Sequence, residues 1–256
     1  MTPTLRRWAC RVSHARGYDC AVAEETFAQY IAYTLYRVDP EWRRLPFEER
    51  AAGKDAFADV VEDWASRMEL RTYSLVGVRP DADFLLWKIT DRYEDLRDLG
   101  TDLNGTPLAG YLTTPYSYLA AAKPSQYTGR DETRVRKVIP RGAPYLVVYP
   151  FVKKREWYSL PVEDRRRAMA EHMETGARWP TITNHTTYSF GIDDQEFMTV
   201  FECERPIDFL DLMMALRGTE ASRYTERDTP IFVGVGEEIR SILDSLDGAR
   251  AGVPAS

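Results

Sequence analysis

The spacing of hydrophobic and polar residues changes several times along the chain, and each change marks a predicted element. Short runs rich in β-branched and aromatic residues predict strands, whereas helices are predicted where apolar residues recur every three or four positions after Pro or acidic residues. Strands are predicted around 26–38, 70–79, 83–89, 145–153, 185–191, 196–203 and 229–234. Helices are predicted around 47–67, from 91, around 161–175 and around 206–217.

Two pairs of similar segments indicate an internal repeat. "LPFEERAAG" (45–53) resembles "LPVEDRRRA" (160–168), each with Pro at a helix start and acidic residues in the first turn. Residues 81–100 correspond in the same way to residues 194–213. The order strand–helix–strand–strand–helix–strand is that of the ferredoxin-like unit. We therefore predict an α+β fold in which tandem duplicated ferredoxin-like (βαββαβ) units form wide antiparallel sheets with helices outside, as in a dimeric α+β barrel.

The repeat also sets the predicted domain boundaries. The first ferredoxin-like copy is predicted at 1–125 and the second at 145–256. Residues 126–144 between them are mostly polar and contain several Gly and Pro, which is typical of a linker or loop.

Composition and charge exclude some classes of function. The chain has 256 residues, of which 44% are hydrophobic, and a net charge of −6, so nucleic acid is not an expected partner. No apolar run approaches the roughly 20 residues that a membrane-spanning helix needs, and no secretory signal is expected at the N-terminus. Cys10, Cys20 and Cys203 form no CxxC pair, which favours free thiols in a reducing cytoplasm.

Two of the three histidines lie thirteen residues apart, at 172 and 185. The helical period places His172 on an apolar face with Met169 and Met173, whereas His185 begins a predicted strand. Core packing, metal binding and acid–base chemistry are all open for such a pair.

The strand at 145–153 carries an unusual combination of side chains. Its period of two places five residues on one face: Tyr145, Val147, Tyr149, Phe151 and Lys153. A buried lysine needs a partner, which a bound carboxylate would supply; the alternative is an edge strand with Lys153 at its fraying end. Trp157 either lines the same cavity or caps the sheet. A convergence of His, Tyr, Lys and Trp suggests a large flat cofactor that carries carboxylates, such as a haem.

These residues lie within a recognisable family pattern. The runs "YPFVKKREWYSLPVEDRRRAMAEH" (149–172) and "LRGTEASRYTERDTPIFVG" (216–234) closely resemble the chlorite dismutase-like superfamily, and within it the coproheme decarboxylases of the actinobacterial branch. The resemblance covers most of the chain, including "RVDPEWRRLPFEERAA" and "VRPDADFLLWKI" in the first half. It implies a homopentamer of duplicated ferredoxin-like subunits that bind haem in the second copy only.

The resemblance also implies residue roles. His172 matches the proximal iron ligand, and Tyr149 matches a tyrosine that becomes a radical and attacks a propionate. Lys153 and Trp157 match residues close to the reacting propionates. Arg134, after a one-residue shift, matches an arginine that contacts a propionate. Met169, on the helix face of the iron ligand, is expected to contact the cofactor.

The implied reaction is the peroxide-driven oxidative decarboxylation of two propionates of iron-coproporphyrin III (coproheme), which gives haem b. Coproheme is then both substrate and cofactor, with hydrogen peroxide as the second substrate. Three alternatives remain: a paralogous haem-dependent peroxidase-like enzyme, a chlorite dismutase, and a haem carrier. The absence of the distal arginine of chlorite dismutases argues against the second.

The distal residue is where the chain departs from the family. Thirteen positions after the iron ligand the family has Arg or Gln, whereas this chain has His185, and Met173 replaces a glycine that usually follows the iron ligand. A histidine can take a proton from peroxide near neutrality and return it, which suits a distal base. The alternatives are a sixth iron ligand and a side chain that points to solvent.

His185→Ala is therefore expected to slow coproheme turnover by about 10²-fold or more, because general bases usually contribute that much. Stopped-flow measurement of turnover after mixing with peroxide tests this expectation. An unchanged rate would remove His185 from the mechanism.

Overall fold

The computed structural model describes residues 29–123 and 137–248. In this part of the chain the strands are β1 (Tyr30–Val38), β2 (Glu69–Ser74), β3 (Phe84–Thr90), β4 (Leu112–Ala121), β5 (Tyr145–Lys153), β6 (Thr183–Asn184), β7 (Thr187–Tyr188), β8 (Phe197–Cys203), β9 (Thr225–Arg227) and β10 (Phe232–Gly236). The α-helices are α1 (Phe47–Ala65), α2 (Tyr93–Asn104), α3 (Arg155–Ser159), α4 (Val162–Gly176), α5 (Pro206–Leu216) and α6 (Ile239–Ser245).

Eight of the strands form a closed antiparallel ring. The order is β8-β7-β4-β1-β3-β2-β10-β5, and the ring closes because β5 also pairs with β8. The strand β6 pairs with β8 on the same side as β7, and β9 flanks the end of β5. The predicted α+β fold with antiparallel strands and outer helices is confirmed, and the sheet is a closed barrel. The duplication of a ferredoxin-like unit stays a prediction.

Side chains alternate between the barrel interior and the outer face, as the pleat of a strand requires. The interior holds a cluster of apolar side chains, among them Tyr33, Trp87, Val148, Val200 and Phe232. On the outer face of the first half, α1, α2 and α6 cover the strands with a second apolar cluster, built around Trp42, Phe57, Trp64 and Phe84. Burial of each such side chain contributes about 1.5–3 kcal/mol. Apolar side chains therefore fill the space on both faces of the sheet in the first half.

The outer face of the second half is covered less completely. Phe209, Leu212 and Leu216 of α5 pack against Val147 and Phe201 of the sheet. The helix α4 buries only Ala168 and Thr175, although it has fifteen residues. A space therefore remains between α4 and the strands β5 and β8.

Most predicted elements are close to their observed positions. The bounds of β5 are those predicted, and α1, α4 and α5 begin and end within two residues of the predicted limits. The predicted strand at 185–191 is wrong in extent, because within these residues only Thr187–Tyr188 form a strand, β7, and β6 precedes them at Thr183–Asn184. There the side chain of Asn184 accepts the N–H of Thr186 at 2.7 Å, and this local turn interrupts the pairing. The elements β4, β6, β9, α3 and α6 were not predicted.

Some sequence-based expectations lie outside the described residues: Cys10, Cys20, Arg134 and most of the 126–144 segment. Cys203 is a buried free thiol. Within 29–123 and 137–248, no helix combines the length and the hydrophobicity that crossing a bilayer requires.

Candidate functional site

A cavity of about 320 Å³ lies between the outer face of the second-half strands and the helix α4. Its volume falls in the range of about 300–1,000 Å³ that is typical of small-molecule sites. Six of the seven predicted site residues line this one cavity: Tyr149, Lys153, Trp157, Met169, His172 and His185. The seventh, Arg134, is outside the described residues.

The imidazole of His172 is held through one nitrogen. Its Nδ1 lies 3.3 Å from Oγ1 of Thr219, and that hydroxyl already donates to the carbonyl of Leu216 at 2.8 Å. The Thr219 oxygen must therefore accept from Nδ1–H, which leaves the lone pair on Nε2. Burial, together with the nearby charge of Lys153, lowers the pKa of His172 to about 4. The ring is neutral at pH 7, and Nε2 makes no hydrogen bond within the described part of the chain.

Lys153 is a half-buried cation beside an aromatic ring. Its Nζ donates to the carbonyl of Ala221 at 2.9 Å and lies 4.3 Å from the ring centroid of Trp157, a cation–π distance. Burial lowers the pKa of Lys153 to about 8, although Glu196 acts in the opposite direction. Among the described residues no carboxylate forms an ion pair with it. Because β9 pairs with this end of β5, the alternative of a fraying edge is not supported.

Tyr149 presents a protonated phenol to the cavity. Its side chain is buried, and its only hydrogen bond among the described residues is a weak one to Sδ of Met213, at 3.8 Å. Burial raises the pKa of Tyr149 well above its usual value, so the hydroxyl keeps its hydrogen at neutral pH. The ring stacks on Phe201, with centroids 6.4 Å apart, and this contact fixes its orientation.

His185 is buried and does not point to solvent. Its Nε2 lies 2.7 Å from Oε2 of Glu202, and its ring packs at 5.5 Å from the ring of Trp87. Burial favours the neutral acid of Glu202, but hydrogen bonds from His185 and from the N–H groups of Arg141 and Gly142 outweigh it and lower the pKa of Glu202. The carboxylate is therefore ionised at neutral pH.

Sequence reasoning missed three residues that act on these side chains: Thr219, Met213 and Glu202. Thr219 lies within the run at 216–234 that carries the family resemblance, so this resemblance could have identified it. Glu202 could have been found from the alternation of side chains along β8, which places it on the interior face with Met198 and Val200. A carboxylate at such a position requires a buried partner. No sequence pattern considered above distinguishes Met213 from other apolar residues of its helix.

Replacing Lys153 by Met is expected to change how stability depends on pH. The folded-state pKa of about 8 is below the unfolded value of about 10.4, so the unfolded chain binds more protons between these values. The free energy of unfolding of the wild type, relative to Lys153→Met, should therefore rise by about 1–2 kcal/mol from pH 7 to pH 10. Urea unfolding at both pH values measures this difference.

Lys54→Met is the matched control for this experiment. Burial favours the neutral form of Lys54, but its ion pairs with Asp244 and Asp247 raise its pKa, so no rise is expected over the same range. A constant difference for Lys153→Met would show that the burial of Lys153 does not penalise its charge.

The chain is similar to known proteins over most of its length. The family model described as chlorite dismutase matches residues 50–236. A coproheme decarboxylase from Mycolicibacterium smegmatis is 28% identical over 230 residues, which is 85% of this chain and 94% of that protein. A crystal structure of a mutant chlorite dismutase from Candidatus Nitrospira defluvii is similar with a TM-score of 0.78 and 26% identity, and covers 86% of this chain and 95% of that one.

A haem-binding protein from Thermus thermophilus has the same fold, with a TM-score of 0.75 and 22% identity over 87% of this chain and 96% of that one. At that identity the similarity concerns the fold alone. The match to the family model, in contrast, spans more than half of the chain. The chain belongs to the chlorite dismutase family.

Proposed function

We propose that this protein is a haem-dependent enzyme that uses hydrogen peroxide to decarboxylate two propionates of coproheme, which gives haem b. The observation that carries the proposal is the arrangement around one cavity of an imidazole, a protonated phenol and a lysine, from His172, Tyr149 and Lys153. The similarity to a coproheme decarboxylase over 94% of that relative supports the same reaction.

The residues present fit an iron porphyrin. The Nδ1–H of His172 is engaged by Thr219, which is the usual arrangement of a metal-ligating histidine whose other nitrogen binds the metal. Within the described residues no three His, Cys, Asp or Glu side chains are grouped as ligands for a bare metal ion. A single imidazole suits an iron whose other bonds come from a macrocycle. The apolar rings of Phe151 and Phe197 line the cavity, as a flat porphyrin requires.

When bound, the iron porphyrin would supply the two-electron chemistry with peroxide. His185 would accept a proton from peroxide and return it to the departing oxygen. Tyr149 would give up its phenolic hydrogen and then recover one from the propionate that is being oxidised. For each propionate, R–CH₂CH₂–CO₂⁻, H₂O₂ and H⁺ become R–CH=CH₂, CO₂ and two water molecules. The two electrons lost by the propionate thus reduce one peroxide.

The cations around the cavity would hold the carboxylates of the substrate. Lys153 lacks a carboxylate partner in the described structure, and a propionate would provide one. Arg217 also lines the cavity, where it is paired with Asp228 near the surface. The predicted contact of Arg134 with a propionate remains part of the proposal. Met169 and Trp157 would pack on the porphyrin from α4 and α3.

The wider expectations belong to the same proposal. They are the ferredoxin-like duplication, the homopentamer, the cytoplasmic location and the presence of haem in the second half only. Supporting the last of these, the outer face of the first half is filled by its own aromatic cluster, whereas the cavity lies in the second half.

Chlorite dismutation is the second candidate, because chlorite dismutases are among the similar solved structures, with TM-scores of up to 0.78. The distal side chain argues against it. His185, hydrogen-bonded to Glu202, stands thirteen positions after His172, where an arginine would be needed to hold hypochlorite. Oxygen release from chlorite in the absence of decarboxylation would favour this second candidate.

Mass spectrometry after mixing the protein with coproheme and peroxide tests the proposal. The wild type should show two successive losses of CO₂ together with two hydrogens. Tyr149→Phe should bind coproheme but show neither loss, because the oxidisable hydroxyl is gone. Tyr145→Phe is the matched control, since Tyr145 is on the same face of β5 but does not line the cavity. Binding without any loss in the wild type would overturn the proposal in favour of a carrier or a paralogue.

A further inference from the structure

Glu202 is a charged residue in an apolar place. It lies on β8 between Val200 and the strand end, on the face that points into the barrel. Its side chain is 0% exposed. An ionised carboxylate in such a position is tolerated only if hydrogen bonds replace the lost water. The donors of those hydrogen bonds show which groups the carboxylate of Glu202 holds in place.

Backbone N–H groups of one turn supply most of the hydrogen bonds that the carboxylate of Glu202 accepts. Oε1 accepts the N–H of Gly142 at 2.7 Å and that of Ala143 at 3.2 Å, and Oε2 accepts the N–H of Arg141 at 2.8 Å. Gly142 has φ of 75°, a conformation that glycine adopts without strain and that lets successive N–H groups converge on an anion. Hydrogen bonds from such N–H groups favour the ionised form of Glu202.

His185 provides the fourth donor to the same carboxylate. An ionised carboxylate only accepts hydrogen bonds, so Nε2 of His185 must carry the hydrogen in the 2.7 Å contact with Oε2. The lone pair of the neutral ring is then on Nδ1, which makes no hydrogen bond within the described residues. The ring of Trp87 lies 5.5 Å from the imidazole and restricts its rotation.

We infer that Glu202 is a positioning residue that holds His185 in the Nε2–H tautomer, so that Nδ1 is the atom that takes a proton in the cavity. This inference rests on the proposed function for its chemistry. The proton moves from peroxide to Nδ1, the resulting imidazolium is stabilised by the ionised Glu202, and Nδ1 then returns the proton to the departing oxygen. A buried carboxylate orients a catalytic histidine in the same manner in serine hydrolases.

The same contact bears on the alternative role of His185 as a sixth iron ligand. Because Nε2 is committed to Glu202, this nitrogen could reach a metal only if the 2.7 Å hydrogen bond broke and the buried carboxylate lost one of its four donors. Loss of a donor from a buried carboxylate is unfavourable, because hydrogen bonds replace the water that the charge has lost. The pair therefore argues against Nε2 as an iron-binding atom, and it leaves the lone pair of Nδ1 for either role.

NMR of the ligand-free, ¹⁵N-histidine-labelled wild type tests the tautomer directly. The chain has only three histidines, and His185→Asn assigns the signal. We expect the neutral ring of His185 to show a protonated Nε2, coupled to an exchange-protected hydrogen, and an unprotonated Nδ1. An Nδ1–H tautomer would overturn the inference, and this measurement needs no Glu202 variant to fold.

Glu202→Gln and the control Glu204→Gln extend the test to chemistry. Glu204 is two residues further along the chain and exposed, so the same change there should leave tautomer and rate unaltered. Glu202→Gln should remove the Nε2–H signature and lower the rate of reaction with peroxide about 10- to 100-fold, the usual effect of losing a carboxylate that orients a histidine. Coproheme binding should be unchanged.

The two proposals fail in different ways. If the wild type decarboxylates coproheme and Glu202→Gln keeps its full rate, the positioning role is wrong while the proposed function stands. If the wild type shows the Nε2–H tautomer but no decarboxylation, the proposed function is wrong while the His185–Glu202 pair remains as described.

Discussion

The closed antiparallel ring is the constraint on which the site depends. Once β5 pairs with β8 on one side and β10 on the other, each of its side chains must point either into the barrel or outward. Tyr149 and Lys153 then face outward together, towards α4. In the first half the corresponding outer face is filled by Trp42, Phe57 and Phe84 under three helices. In the second half α4 contributes few buried side chains, and the cavity is the result.

Glu202, Lys153 and His172 are ionisable groups in or beside this cavity, and their partners differ. Glu202 has four hydrogen-bond donors and is satisfied without a ligand. Within residues 29–123 and 137–248, Lys153 has one carbonyl and an aromatic ring as partners but no carboxylate, so its charge is under-compensated there. His172 is neutral, with Nδ1 bonded to Thr219 and Nε2 without a hydrogen bond to any residue of the same two ranges. Buried groups with incomplete partners are typical of binding sites, where a ligand provides the rest. Lys153 and His172 have this character, whereas Glu202 organises the site from within.

Much of the site was predictable from local periodicity. A period of two places Tyr149 and Lys153 on one face of β5, and the helical period places His172 beside Met169. These four residues line one cavity together with the two other predicted residues, Trp157 and His185. Contacts between distant segments were not predictable in this way. The closure of the ring, the packing of α6 on α1 and the bond between His185 and Glu202 all depend on register and on tertiary contacts. The interrupted pairing at 183–188 depends on a turn made by the side chain of Asn184, which outweighs the strand preference of the flanking residues.

The central claim is that Nε2 of His172 binds the iron of a porphyrin in this cavity. Electron paramagnetic resonance and absorption spectra of the protein titrated with ferric coproporphyrin III test it most directly, with His172→Ala and His185→Ala compared under the same conditions. The account predicts a histidine-ligated ferric iron in the wild type and in His185→Ala, its loss in His172→Ala, and its return when imidazole is added to His172→Ala. A spectrum of His172→Ala identical to that of the wild type would contradict the account.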